Sequence, residues 1–117
     1  MLTCLELDDA EARRIAEPMM DDVMLGIARH DYALHSRHFS VALKSALTPE
    51  AFAGEIERTE PVRGQPGTRE LLCLFRKPKS FTLVWDQSFP SADGQVMAVM
   101  TVALKGGRYF VDFVLLH

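Results

Sequence analysis

Two cysteines, one tryptophan, two tyrosines and no long apolar run set the first limits on this 117-residue sequence. Cys4 and Cys73 lie far apart in the chain, and such a pair forms neither a disulfide framework nor a zinc ribbon. Cys73 falls in the run Leu71-Leu72-Cys73-Leu74-Phe75, where the expectation is a buried free thiol. No stretch reaches the ~20 apolar residues of a membrane-spanning helix. Seven glycines and six prolines are too few for collagen-like or low-complexity sequence. A strong positive charge is missing as well. The net charge is −3, so the chain lacks the basic footprint of a nucleic-acid binder.

Apolar residues make up 48% of the chain and charged ones 25%, which suits one globular domain over 1–117 with a real core. Charge is unevenly spread. Residues 1–60 hold six basic and twelve acidic groups, whereas residues 61–117 hold seven and four. The start, Met1-Leu2-Thr3-Cys4-Leu5, has neither the basic region nor the apolar core of a secretory signal. Cytoplasmic is the default expectation, and an exported protein whose signal had been removed would read the same.

Hydrophobic period divides the chain. Ala12, Ile15, Ala16, Met19, Val23 and Ile27 fall at helical spacing after an N-cap at Asp8 or Asp9. Pro18 within this stripe predicts a kink or break, and the helix is expected to stop near Arg29-His30. Asp31 caps a second helix running to about His38, and Ser40 caps a third through Ala46. Thr48-Pro49 starts the next, with Phe52 and Ile56 on its buried stripe and Pro61 at its end. The helical part thus spans 8–60, and Arg63 to Gly67 reads as the joining loop.

From residue 68 the period is two. Expected strands are 68–77, 80–89, 95–105 and 108–117. Asp93-Gly94 and Gly106-Gly107 supply two-residue hairpins. The fold class is α+β: about three N-terminal helices packed on a curved four-stranded antiparallel sheet. Alternation places Phe81, Leu83, Trp85, Val111, Phe113 and Leu115 under the helices. The opposite face is also apolar. Leu71, Cys73, Phe75, Val84, Met97, Val99, Phe110, Val114 and Leu116 are available to it, and a large apolar face points to an interface. Phe75, Val84, Met97, Val99, Phe110 and Val114 are the candidate interface residues of a homodimer formed through the outer sheet face.

The segments Ala16-Glu17-Pro18, Asp31-Tyr32, Phe39-Ser40, Leu43-Lys44 and Thr48, followed by the meander, resemble small prokaryotic domains of the nuclear-transport-factor-2-like and cystatin-like group. The resemblance covers about residues 10–117. It implies a sheet curled into a cone around the helices, a roll in which some members are enzymes and others bind ligands or dimerise. Its enzymes use Asp–His or Tyr–Asp pairs inside the cone. Here His35 or His38, with Asp31 or Asp112 and aided by Tyr32, are the candidates for such a pair in a small isomerase, dehydratase or hydrolase.

His35 and His38, at i and i+3 on the second helix, share one face and could both reach a metal. No Cys pair or HExxH motif completes a metal site, and no motif calls for a cofactor. Tyr32, Trp85 and Tyr109 are the candidate ligand-binding residues at the mouth of a cone, where a small apolar molecule would enter. No nucleophile elbow or phosphate loop is present. The leading expectation is a small dimeric, non-enzymatic ligand-binding or protein-interaction module. A cone-pocket enzyme and an apolar ligand carrier are the alternatives.

Overall fold

A computed structural model describes residues 3–117; Met1 and Leu2, part of the segment read above as lacking a signal, lie outside the described residues. A single 3₁₀ turn at Cys4–Glu6 leads into α1 (Asp9–Arg29), α2 (Tyr32–His35), α3 (Val41–Ala46) and α4 (Pro49–Arg63). Then come β1 (Arg69–Lys77), β2 (Ser80–Gln87), β3 (Val96–Lys105) and β4 (Arg108–Leu116). The strands form one antiparallel sheet in sequence order and do not close into a barrel. The architecture is α+β, with helices on one face of the sheet.

Local chemistry starts each helix. Asp8 accepts from the Glu11 amide at 2.8 Å while the Glu11 carboxylate accepts from the Asp8 amide at 3.1 Å, a reciprocal capping box. Asp31, Ser40 and Thr48 each accept from the amide three residues on. α1 runs unbroken through Pro18, against the expected kink or break. Ala16, Met19 and Met20 are buried on both sides of the proline, and that packing outweighs one missing hydrogen bond. α4 likewise continues past Pro61 to Arg63, where the Gly64 amide closes its last turn on Glu60. α2, in contrast, is one turn long. Residues 36–38 are a turn, so His35 and His38 share no helix face.

α1 lies on the inner sheet face. Ala12 and Ala16, fully buried, let the helix approach closely, and Met20 and Val23 fill the space above Phe81, Leu83, Trp85, Met100 and Val102. The Arg69 guanidinium ties β1 to α1. It binds Glu17 Oε1 at 2.6 Å and Asp21 Oδ1 at 2.6 Å, and Trp85 Nε1 donates to Glu17 Oε2 at 3.2 Å. Burial pushes the Glu17 carboxyl pKa up, but these hydrogen bonds and the charges of Arg69 and Arg13 outweigh it and hold the pKa below its ordinary value.

Two β-bulges reassign the sheet faces. On β1, Leu71 opposes Trp85 and Cys73 opposes Val84, leaving Leu72 as the extra residue. Leu71 therefore packs inward, and Cys73 is exposed on the outer face instead of buried. On β4, Val111 opposes Val102 and Phe113 opposes Thr101, leaving Asp112 extra. Everything beyond Asp112 is reversed relative to simple alternation. Val114 and Leu116 pack against the core, which removes Val114 from the outer interface, while Phe113 and Leu115 face outward.

The Gly106-Gly107 hairpin forms with both φ angles positive, 58° and 77°. Asp93-Gly94 belongs instead to a longer loop, 88–95, whose Phe89 folds back into the core. Gln87 anchors this loop by donating from Nε2 to the carbonyls of Gly67, Thr68 and Ser88.

Candidate functional site

Two features stand out once the faces are assigned: the outer sheet surface and a cavity under α4. The outer surface is built from alternate residues of all four strands. Phe75 is 63% exposed, Phe113 45%, Leu115 42% and Met97 41%. Val84, Val99 and Phe110 lie between them, half-buried, and a Thr82–Thr101 hydroxyl pair 2.7 Å apart sits at the centre. No segment among the described residues covers this face.

Its charges are sorted along the strands. Glu70 stands opposite Asp86 at one end. Lys77 at the end of β1, and Lys105 opposite Arg108 across the β3–β4 hairpin, form the other. Apolar rows separate the two ends.

The cavity is a half-open cleft of about 420 Å³ between α4, the end of α1 and the last β4 residues. Its walls include Val23, Ile27, Phe52, Ile56, Val114 and Leu116. His35, only 8% exposed, also lines it. The His35 ring packs on Phe52, 4.4 Å between centroids, and meets Phe39 edge-on. Nδ1 lies 2.9 Å from the Val23 carbonyl, and since a carbonyl only accepts, Nδ1 carries the proton. Burial pulls the imidazole pKa below its ordinary value, offset in part by that bond, so the ring is neutral at pH 7. Arg63, brought to the cavity because α4 continues past Pro61, lies over the Phe89 ring at 4.5 Å.

The candidate acid–base residues are not brought together. His35 is bound to Val23, and Asp31 caps α2. His38 Nε2 meets Asp22 at 2.8 Å. Asp112 accepts from Ser40 Oγ at 2.7 Å and from Lys105 Nζ at 3.0 Å, and those bonds hold its carboxyl below the usual range despite partial burial. The His38–Asp22 pair escaped sequence reading because its partners are 16 positions apart and on different elements.

Tyr32, Trp85 and Tyr109 do not line this cavity. The Tyr32 hydroxyl donates to the Leu47 carbonyl and its ring edges Phe52 beside a shallow cleft. Trp85 is fully buried in the core. Tyr109 stacks edge-to-face on Phe81, and burial raises its hydroxyl pKa. Phe81, Trp85 and Tyr109 pack with the α1 residues of the core, whereas Tyr32 packs beside α4.

No group of three or more His, Cys, Asp or Glu is placed to hold a metal ion among the described residues. No helix among them is long and apolar enough to cross a membrane. No protein-family model matches the chain, and comparison with curated proteins finds none significantly similar.

Proposed function

We propose that this protein is a homodimeric interaction module that self-associates through its outer sheet face. The observation that carries the reading is the exposure of Phe75, Met97, Phe113 and Leu115 on one uncovered surface. Contiguous apolar surface of this kind is stabilised by removal from water. Four strands at about 4.8 Å spacing and roughly eight residues at about 3.4 Å each give a footprint of roughly 500 Å² per copy. Two such footprints, corrugated by side chains, fall at the small end of stable interfaces.

Charge selects the arrangement. A two-fold axis across the strands stacks β1 on β1 with direction reversed and sets Glu70 of one copy against Lys77 of the other. An axis along the strands would instead set Lys77 against Arg108. Rim pairs of this sort add little affinity but fix orientation. The order of helices and strands also supports placing the chain in the nuclear-transport-factor-2-like and cystatin-like group, where dimerisation modules occur.

Sedimentation equilibrium tests the reading. A dimer is expected at tens of micromolar. Phe75→Glu should weaken it about a hundredfold, because each dimer then carries two carboxylates in an apolar interface, at roughly 1.5 kcal/mol each. Orientation has its own test. Cys73 lies on the outer face while Cys4 is buried, so a short bis-maleimide should join Cys73 to Cys73 only when β1 stacks on β1. With the other axis β1 lies over β4, about 14 Å to the side. A wild-type monomer at those concentrations overturns the proposal.

A further inference from the structure

The cavity under α4 lies on the helix side of the sheet and meets the outer face only at Leu115, and its lining specifies a ligand. The volume of about 420 Å³ lies within the range of small-molecule sites, and the walls are mainly aliphatic and aromatic. Four charged residues border it: Glu50, Glu55, Arg58 and Arg63. Glu55 and Arg58 are bound to each other as an exposed ion pair on α4. Glu50 is exposed in the first turn of the helix, roughly 20 Å along the axis from Arg63. Arg63 is half-buried. Glu55 attracts it through space, but no carboxylate comes within 4 Å of it among the described residues, and it rests on the Phe89 ring. Of the uncharged polar groups of the wall, Thr59 donates its hydroxyl to the Glu55 carbonyl, and His35 is neutral and spends its one N–H on Val23, so neither adds positive charge. One cation with no carboxylate in contact therefore stands at one end of an apolar cleft.

We propose that this cavity binds a small amphipathic acid, with its anionic head on Arg63 and its apolar tail between Phe52, Ile56, Val114 and Leu116. The guanidinium offers a planar fork of donors that fits a carboxylate, and the tail gains by leaving water. His35 Nε2, with no hydrogen bond among the described residues, remains an acceptor in the wall beside the tail. The continuation of α4 past Pro61 makes the site: a helix ending at Pro61 would leave Arg63 in a loop.

The test titrates decanoate, decanol and decyltrimethylammonium into the full chain, followed by NMR of side-chain methyl and histidine ring signals. Decanoate should bind most tightly of the three and shift Val23, Ile27, Val114 and His35, leaving Met97 on the outer face unmoved. Arg63→Gln should weaken decanoate at least tenfold and change decanol less than twofold, while Arg63→Lys keeps most of the affinity. Ala51→Trp, which fills the cavity from α4, should abolish binding of decanoate and decanol alike. The proposal fails if decyltrimethylammonium binds as tightly as decanoate, or if Arg63→Gln leaves decanoate unchanged. It fails equally if the shifts fall on the outer face or if decanoate does not bind.

Discussion

Gly26→Ala separates two opposed physical effects in one substitution. Gly26 is inside α1, where replacing glycine by alanine ordinarily stabilises by about 1 kcal/mol through helix propensity. Here α2 crosses directly above it. A Cβ at position 26 would stand 2.5 Å from the His35 amide nitrogen, 2.6 Å from its Cα and 2.6 Å from its Cβ. These are backbone and near-backbone atoms, so no rotamer change relieves the overlap. The Asp31 amide also donates to the Gly26 carbonyl at 2.8 Å, which pins the two helices at this separation. Forcing them apart costs about 3 kcal/mol, on the scale of an overpacked core, and leaves a net loss of roughly 2 kcal/mol. With a urea m-value of about 1.3 kcal/mol/M for a chain of this size, the midpoint should fall by roughly 1.5 M at constant m. Gly54→Ala is the control. Its nearest neighbour would be the flexible Arg58 Nη1 at 3.6 Å, so propensity should win and the midpoint should rise. A Gly26→Ala protein as stable as wild type would refute the close-approach argument.

Three further outcomes are expected. His35 has a folded pKa below its unfolded value, so protons favour the unfolded chain and its contribution to stability is lost as pH falls below about 6.5. The stability advantage of wild type over His35→Phe should therefore shrink between pH 7 and about pH 5, and a constant difference in denaturation midpoint would contradict this. Asp112 shifts the same way for a different reason. Its depressed carboxyl pKa stabilises the fold above the unfolded value and is lost in acid, so Asp112→Asn should be destabilising at pH 7 and nearly neutral below that depressed pKa. Cys73 should react readily with maleimide in dilute solution and slowly in concentrated solution, where the second copy covers it; Cys4, buried with its thiol pKa raised, should react only on unfolding.

Those signals that act over three or four residues were legible in the sequence. Asp8, Asp31, Ser40 and Thr48 each cap the helix expected of them, and Gly106-Gly107 makes its hairpin. Proline is a weaker stop in this chain than its missing N–H suggests. Pro18 and Pro61 each lose one hydrogen bond, yet packing around α1 and the terminal position of Pro61 carry both helices onward. The bulges left no clear mark. With apolar residues on both sides of β1 and β4, either register buries something, so alternation alone cannot locate Leu72 and Asp112 as extra residues. The one available hint was Asp112, a carboxylate in an otherwise unbroken apolar run. Arg63 was hidden for the same reason as the α4 ending, since a residue assigned to a loop lines no wall.

Both bulges sit on the margins of the sheet, and the segment 38–40 also bonds to Val111 there, its Ser40 amide donating to the Val111 carbonyl at 2.8 Å. An irregular rim offers a poor template for another strand, so growth by side-to-side addition is blocked at both borders. What stays open is the flat of the ribbon, and a stack of two sheets leaves nothing for a third. Assembly by this chain should therefore end at a pair and not run on into fibres.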